Sequence, residues 1–389
     1  MTSHRRSARR AVLLTGATLC SALLAPGLGA VVGADPAATA AATSSVPGAP
    51  AQQARSCPPA GTALAFSDAL DKLDVDGVRV GGLSSLAYDQ PRRAWAATVD
   101  NHLDDPSRIW FFRDLASPRV VGSVVLRRPD GTAYDGMTAD DEGLAVLPDG
   151  RFVVSSETEP SIRVFGRDGV QQVSLPVPAR FGVTGKTAEG EATANATLEG
   201  LTITPDGRQA VAAMEGALSG DVSSSGDATW HRFLVYRHDR QGWALREQVA
   251  YRAEPGQRIP EVAAVGRSDL VVQEASFAPA TGNQTKLYLV RGYDRAPDVT
   301  GVTDLSAADP GVALHKQLLA DVVACPTLGA TSKQPQANPL LDNYEGMAVT
   351  GEVRRRGNRR IGISLISDDN FGATQVTRLL DLAVTMPRH

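Results

Sequence analysis

Hydrophobic residues in this chain form short runs that come in pairs, and a turn separates the two runs of each pair. The stretch DDEGLAVLPDGRFVVSSETE from Asp140 shows the pattern: an apolar run, a turn through Pro, Asp and Gly, and a second apolar run. Such spacing predicts a β-hairpin. Further strand-like runs lie near the hairpins, among them RIWFF at Arg108, SIRVFG at Ser161, RFLVYR at Arg232 and KLYLVR at Lys286. About four strands per repeat is typical of β-propeller blades.

The hairpin recurs five times along the chain. Its starts at Gly82, Glu142, Glu199, Glu261 and Glu345 are 60, 57, 62 and 84 residues apart. We therefore predict an all-β fold, a β-propeller of five readable four-stranded blades. The longest interval leaves room for a sixth blade. The N-terminal run TALAFSD, or DGVRVGG after it, is expected to close the last blade by pairing with C-terminal strands. The rival fold is a pair of β-sandwiches, which does not require one motif to recur with polar residues at the same phase.

The first residues have the pattern of an export signal. Four arginines between Arg5 and Arg10 precede an apolar segment at 11–24 and then small residues. We predict a signal peptide over 1–34, cleaved after Ala30 or Ala34. A lipoprotein anchor on Cys20 is the disfavoured alternative, because Leu19 stands where such signals need a small residue. Residues 35–56, rich in Ala, Pro and Ser, predict a flexible linker, and 57–389 the propeller domain. We expect a secreted, extracellular protein without a membrane span.

Composition narrows the class of partner. The chain has 389 residues, 42% of them hydrophobic, a net charge of −4 and a pI near 5.9. A non-specific nucleic-acid binder normally carries a basic surplus, so we expect no nucleic-acid partner. We expect a monomer that acts on a small molecule.

Two cysteines remain after the predicted signal peptide, Cys57 and Cys325. In an oxidising compartment two such residues usually pair, so we predict a disulfide between them. Two free thiols are the alternative. A metal site made by these two residues alone is disfavoured, because no Cys or His lies nearby at ligand spacing.

Acidic residues recur at fixed places in the hairpins. Three copies place Glu-Gly ahead of the first strand, at Glu142, Glu199 and Glu345. The first strand of a propeller blade lines the central channel, so these side chains are expected to face one axial space. A second set ends the returning strands and is expected at the same mouth: Asp100, Glu157, Glu215, Glu274, Asp368 and Asp369.

Crowded carboxylates raise one another's pKa values unless a cation neutralises them. Oxygen ligands of this kind suit Ca²⁺, with amides such as Asn101 and Asn370 as further donors. We therefore predict a calcium site formed by both sets. The alternative is that these acids cap turns or pair with arginines on the rim.

At these motifs the sequence resembles the bacterial secreted family called esterase-like activity of phytase, or phytase-like domain proteins. The resemblance spans nearly the whole mature chain, from FSDALDK at Phe66 through DEGLAVLPDG at Asp141 and LEGLTITPDG at Leu198 to DNYEGMAV at Asp342 and SDDNFG at Ser367. It implies a propeller-like fold and an esterase or phosphatase-type activity.

Other hydrolase signatures are missing from the sequence. It has no G-x-S-x-G elbow and no H-E-x-x-H motif, and a turn role for His102 is favoured over catalysis. We expect metal-assisted attack by water on a phosphoester or other ester, carried by Glu199, Glu345 and Arg108. Arg180 and Lys186 are the fallback cations for the substrate. The alternative function is a non-catalytic exported propeller that binds a ligand or protein, with calcium as a structural brace.

Overall fold

The structure of the chain, a computed structural model, describes residues 55–100, 105–355 and 358–387. Outside these ranges lie the predicted signal peptide, most of the linker, Asn101 and His102. Short apolar runs broken by Gly, Asp and Pro turns form strands rather than helices, as their alternation predicts. The described helices are single 3-10 turns at Ala179–Phe181, Ser219–Asp221, Tyr293–Arg295, Pro310–Val312 and Val322–Ala324.

The strands are grouped in five large sheets, here called blades 1 to 5. Before the first blade come β1 (Ser56–Cys57), β2 (Gly61–Ser67) and a hairpin of β3 (Asp74–Val75) and β4 (Val78–Arg79). Blade 1 contains β5 (Ala87–Asp89), β6 (Ala94–Thr98), β7 (Arg108–Arg113) and β8 (Arg119–Val125). Blade 2 contains β9 (Asp141–Val146), β10 (Phe152–Ser156), β11 (Ser161–Phe165) and β12 (Gln171–Leu175).

The later blades have longer strands. Blade 3 contains β13 (Leu198–Ile203), β14 (Gln209–Met214), β15 (Trp230–Asp239) and β16 (Gly242–Arg252). Blade 4 contains β17 (Arg258–Ala264), β18 (Asp269–Ala278), β19 (Gly282–Arg291) and β20 (Lys316–Asp321). Blade 5 contains β21 (Asn343–Arg355), β22 (Asn358–Asp368) and β23 (Leu379–Met386), joined by β2 and β1. The predicted all-β propeller with five four-stranded blades is confirmed.

The two ends of the described chain meet in blade 5. Strand β2 pairs antiparallel with β23, with Gly61 opposite Val384 and Ser67 opposite Leu379. The TALAFSD run therefore closes the propeller, which is one of the two predicted options. The DGVRVGG run contributes instead to the separate hairpin of β3 and β4. The first strands of the five blades, β5, β9, β13, β17 and β21, contact one another in succession and close a ring around the channel.

Hydrophobic residues pack between the blades. Phe111 of blade 1, for example, lies in one cluster with Leu144, Phe152 and Phe165 of blade 2. Each of the other four neighbouring pairs of blades also shares a cluster of buried apolar side chains. Burial of one such side chain stabilises the fold by about 1.5–3 kcal/mol. The inter-blade packing thus fixes the ring that positions the channel residues.

The predicted disulfide is present. Cys57 in β1 is bonded to Cys325, which follows the last 3-10 turn, and their Cα atoms are 4.2 Å apart. Asn338 holds the loop around Cys325 by donating from Nδ2 to the Cys325 carbonyl at 2.7 Å. The bond ties the outermost strand of blade 5 to the end of blade 4. In the part of the chain that the structure describes, no helix has the length and apolarity needed to cross a bilayer.

Candidate functional site

A β-bulge lies at each Glu-Gly pair of the inner strands. The pairing of β9 with β10 shifts register around Glu142–Gly143, and that of β13 with β14 shifts around Glu199–Gly200. In blade 5 the shift falls at Glu345, between Tyr344 and Gly346. A bulge adds one unpaired residue and turns its side chain away from the regular alternation. The bulges thus account for the recurring glutamates at one level of the channel.

The glycine after each glutamate is needed for close contact between blades. A Cβ atom on Gly143 would lie 2.4 Å from the Glu199 carbonyl oxygen. One on Gly200 would lie 2.9 Å from Glu261 Cα, and one on Gly346 would lie 2.5 Å from the Ser85 carbonyl carbon. These distances are too short for any side chain. Close backbone approach between neighbouring blades is therefore the reason for the recurring glycine.

Hydroxyl groups fix the same level of the channel. Ser155 Oγ accepts a hydrogen bond from the Gly143 amide at 2.9 Å and donates to the Glu199 carbonyl oxygen at 3.0 Å. Thr98 Oγ1 likewise donates to the Glu142 carbonyl oxygen at 2.7 Å. Each of the two donated bonds crosses from the second strand of one blade to the first strand of the next. Ser155 thus links the bulge of its own blade to that of blade 3, and Thr98 fixes the bulge of blade 2 from blade 1.

The structure brings seven of the nine predicted metal ligands into one electrostatically coupled group, here called the acidic ring. All seven are largely buried. Their charges influence one another's protonation. The members are Asp100, Glu142, Glu157, Glu199, Glu215, Glu345 and Asp368.

Burial raises the pKa values of the ring carboxyls because it removes water from the charged form. Burial and the Glu215 charge raise the pKa of Glu157 to about 8. Burial raises that of Glu345 to about 7, although Arg258 opposes the shift. For Glu142, burial and then the charge of Glu199 raise the pKa well above its usual value. A cation bound among these carboxyls would therefore compete with protons.

One arginine that the sequence reasoning missed lies inside the ring. Arg258 Nη1 is 2.7 Å from a Glu215 oxygen and 3.3 Å from a Glu199 oxygen. Its Nη2 is 2.9 Å from Glu345 and 2.7 Å from Asn343 Oδ1. Burial alone lowers the pKa of Arg258, but the three carboxylates outweigh that effect and raise it. Arg258 is a permanent internal counter-charge for one side of the ring.

Blade 4 departs from the repeat, which explains why Arg258 was missed. The bulge there encloses Ile259–Pro260, so no Glu-Gly pair occupies it. Glu261 lies beyond the bulge opposite Gln273, and its carboxylate accepts hydrogen bonds from the Leu201 and Val262 amides, both at 2.9 Å. The signal in the sequence was a cation at the start of the strand, in RIPEV.

Two of the predicted ligands have other partners. Glu274 accepts a hydrogen bond from Tyr251 at 2.7 Å, another from the Glu254 amide at 3.0 Å, and forms an ion pair with Lys316. Asp369 forms an ion pair with Lys72 and accepts the Gly82 amide at 3.0 Å. The structure therefore assigns Glu274 to the packing of blades 3 and 4, and Asp369 to the junction of blades 5 and 1.

Two trios of carboxylates have a spacing that suits a metal ion. In each trio the side-chain oxygens lie within 4.8 Å of one another, and Glu142 belongs to both. One trio adds Glu157 and Glu199 to Glu142, and the other adds Asp100 and Asp140. Asp140 was not among the predicted ligands. All-oxygen donor sets of this kind fit a hard divalent cation such as Ca²⁺.

The predicted substrate cations lie elsewhere. Arg108, at the start of β7, is half-buried with its guanidinium carbon 5.4 Å from the centre of the Trp110 ring. Arg180 forms an ion pair with Glu191 at 2.6 Å and donates to the Val302 carbonyl at 3.2 Å. Lys186 is exposed. Arg258, by contrast, contacts three members of the acidic ring directly.

The described fold is thus a five-bladed β-propeller with a buried acidic ring on its inner strands and the loops beside them. Comparison with family models is more specific: the chain belongs to the phytase-like family described as esterase-like activity of phytase, whose model matches residues 78–371. No curated protein matches the chain.

Several solved structures share a distant similarity. Virginiamycin B lyase from Staphylococcus aureus is 12% identical with a TM-score of 0.35, and the match covers 80% of this chain and 68% of that one. A gluconolactonase from Xanthomonas campestris is 15% identical with a TM-score of 0.34, covering 87% and 93%. A protein of unknown function from Bacteroides caccae is 11% identical with a TM-score of 0.31, covering 70% and 68%.

Proposed function

We propose that this protein is an exported ester hydrolase that acts on a phosphoester or other small-molecule ester with calcium at the acidic ring. Family membership supports a hydrolase-type propeller. The disulfide between Cys57 and Cys325 suits an oxidising, extracellular compartment. The observation that carries the proposal is the asymmetry of the ring: Arg258 neutralises the side of blades 3 to 5, whereas the carboxylate trios share Glu142 on the side of blades 1 to 3.

The two trios define which residues would hold the cation. Glu142, Glu157 and Glu199 form the inner set, with Asp100 and Asp140 next to it. When bound, a calcium ion supplies charge neutralisation at the ester oxygen and a more acidic water. The buried carboxylates would orient that water and exclude bulk solvent.

Arg258 acts as a positioning residue in this proposal. It holds Glu199 at 3.3 Å while Glu199 also faces Glu142 and Glu157, so it fixes one wall of the cation site. Glu345 is the proposed proton acceptor, because it lies in the ring outside both carboxylate trios, 2.9 Å from Arg258, and burial raises its pKa to about 7. Arg258 thus replaces Arg108 as the arginine of the site.

The test is a hydrolysis panel with 4-nitrophenyl phosphate, bis(4-nitrophenyl) phosphate, phytate and 4-nitrophenyl acetate. Each substrate is assayed with excess Ca²⁺ and with EGTA, using the parent protein, Glu142→Gln and the control Glu247→Gln, which changes a carboxylate outside the ring. We expect turnover of at least one ester that is lost in EGTA and in Glu142→Gln and retained in Glu247→Gln. Absence of turnover on every substrate contradicts the hydrolase, and activity unaffected by EGTA contradicts the metal mechanism.

A further inference from the structure

The central channel contains a cavity at the end away from the acidic ring, here called the lower cavity. It has a volume of about 720 Å³ and is lined by the inner strands of all five blades. Along blade 2 it extends from Leu144 to Pro148, about 13 Å at ~3.3 Å per residue. Its inner end is formed by one apolar residue from each blade, each at most 3% exposed: Leu86, Leu144, Leu201, Val262 and Met347. This buried layer separates the lower cavity from the acidic ring.

The walls of the lower cavity present apolar side chains. Val146, Ile203 and Val349 line it from three different blades and are half-buried. Tyr88 of β5 and Trp95 of β6 add aromatic surface, with their ring centres 5.0 Å apart, and Tyr88 is 43% exposed. Ligand sites in proteins are typically concave, mostly apolar and about 300–1,000 Å³ in volume. The lower cavity has these properties.

Polar groups deep in the walls already have protein partners. Thr202 Oγ1 accepts the Ala264 amide at 2.9 Å, and Thr204 Oγ1 donates to Asp206 at 2.8 Å. At the outer end, by contrast, polar side chains are exposed, among them Gln90 and Thr350. The interior therefore suits a hydrocarbon chain, and the outer end suits a polar head group.

Arginines surround the outer end. The turns that join the first two strands of blades 1 to 4 read QPRR, PDGR, PDGR and VGRS, and they contain five arginines and two aspartates. Three of these arginines form ion pairs: Arg92 with Asp89 at 2.6 Å, Arg151 with Asp149 at 2.8 Å, and Arg267 with Asp206 at 3.4 Å. In blade 5, Arg359 pairs with Glu352 at 2.9 Å.

Two arginines of these turns are left as a surplus of positive charge. Arg93 and Arg208 are exposed and make no ion pair with any residue that the structure describes. Asp269, directly after the fourth turn, is half-buried and accepts the Gly292 amide at 3.2 Å. The two unpaired arginines outnumber this carboxylate, so the outer end favours a negatively charged head group.

We propose that the lower cavity binds a single-chain amphipathic anion, of which a medium-chain alkyl carboxylate is the simplest example. The alkyl tail lies among the inner strands, and the carboxylate lies at the turns that carry Arg93 and Arg208. This inference goes beyond the proposed hydrolase and does not depend on it, because the buried apolar layer separates the two sites. It predicts a ligand that binds without calcium.

The test measures binding in EGTA. The first probe is ω-bromodecanoate, whose terminal bromine quenches tryptophan fluorescence on contact. Trp95 lines the lower cavity, whereas the other three tryptophans pack elsewhere: Trp110, Trp230 and Trp243. Isothermal titration then compares decanoate with butanoate, which lacks most of the tail, and with decyltrimethylammonium, which has the opposite charge.

Four variants accompany the parent. Trp95→Phe removes the reporter, Ala264→Phe places a ring in the lower cavity, and Arg208→Gln removes one surplus charge. Arg252→Gln is the control for charge, because Arg252 ends β16 and lines a different cavity. Melting temperatures show whether each variant is folded.

We expect ω-bromodecanoate to quench the parent, with most of the quenching lost in Trp95→Phe. Butanoate should bind more than about a hundredfold more weakly than decanoate, because six methylenes are missing. Ala264→Phe should weaken decanoate binding by about tenfold or more, the effect of excluding two methylenes. Arg208→Gln should weaken it by about two- to fivefold, as for an exposed ion pair, and Arg252→Gln should match the parent.

Three results would overturn the proposal: no quenching in the parent, full quenching in Trp95→Phe, or decyltrimethylammonium binding as tightly as decanoate. If Ala264→Phe does not fold, the probe series and the Arg208→Gln variant still decide. The outcome is separate from that of the hydrolase, since these measurements need neither calcium nor turnover. Decanoate binding by a protein that hydrolyses no ester retains the lower cavity and contradicts only the hydrolase.

Discussion

Arg258 and Glu345 come from the inner strands of neighbouring blades, and Arg258 Nη2 lies 2.9 Å from Glu345 Oε1. Because the same guanidinium contacts Glu199 and Glu215 of blade 3, one cation joins three blades across the channel. The acidic ring is thus a part of the fold as well as the proposed location of the cation. Its charge balance is expected to govern both stability and calcium binding.

Replacing Arg258 with methionine should destabilise the calcium-free protein by about 3–5 kcal/mol, because three buried carboxylates lose their counter-charge. The loss is measured by urea unfolding in EGTA at pH 8. Arg252→Met is the control, since Arg252 pairs with Asp227 at 3.3 Å at a largely exposed position, and such pairs contribute about 0–1 kcal/mol. Equal effects of the two substitutions would refute the role given to Arg258.

Calcium-free protein should lose stability as the pH rises. Glu345 and Glu157 have folded pKa values of about 7 and 8 against an ordinary value of 4.5, so the folded state binds protons more tightly than the unfolded state. Their contribution is fully present below about pH 4.5 and is lost as the pH rises through 7 and 8. Melting temperatures in EGTA from pH 5.5 to 9 should therefore fall, and saturating Ca²⁺ should reduce the fall. A rising or flat profile in EGTA would exclude this linkage.

Glu142→Gln should remove most of the calcium-dependent rise in melting temperature, because Glu142 belongs to both carboxylate trios. Glu199→Gln should reduce it to a smaller extent. Glu345→Gln should lower it least, since Glu345 pairs with Arg258. Differential scanning calorimetry with and without Ca²⁺ gives the increments, and Glu247→Gln should match the parent. An unchanged increment in Glu142→Gln would place the cation elsewhere.

The sequence predicted the blades and most of the ring because both depend on local patterns. Glu142, Glu199 and Glu345 share the Glu-Gly motif, and their bulges preserve its phase. Blade 4 breaks the motif: its bulge holds Ile259–Pro260, which shifts Glu261 past the ring.

Arg258 had no repeat partner to mark it, because its importance arises only when residues from three blades meet. Glu274 pairs with Tyr251 and Lys316 rather than with the ring residues for a related reason. The residue of β18 that contacts the inner strand of blade 5 is Gln273, the neighbour of Glu274, which donates to the Tyr344 carbonyl. A register shift at a bulge and contacts between distant blades are tertiary properties that a linear motif does not contain.

Gly143→Ala should destabilise the protein by about 1–3 kcal/mol, because the new methyl group would lie 2.4 Å from the Glu199 carbonyl oxygen and force blades 2 and 3 apart. Gly351→Ala is the matched control in a strand, since no atom lies within 4 Å of its added methyl group. Chemical unfolding compares the two. Calcium binding should weaken only in Gly143→Ala. Similar stability of both variants would show that the inner strands shift to accommodate the methyl group at little energetic cost.

The double substitution Cys57→Ser with Cys325→Ser should lower the free energy of unfolding by about 2–5 kcal/mol, because the disulfide holds the outermost strand of blade 5. The parent in dithiothreitol should behave like the variant, and the reductant should not affect the variant further. If the reduced parent kept its full stability, the pairing of β1 with β2 would suffice to hold this edge.

The closure of blade 5 by β2 and β23 sets an order of events during synthesis on the ribosome. Strand β2 is synthesised early but cannot pair with β23 until that much later segment has been translated. Arg258 is likewise made before Glu345. The channel is therefore complete only when all five blades have formed. A polypeptide released before β21 to β23 are made lacks the strands that close the propeller.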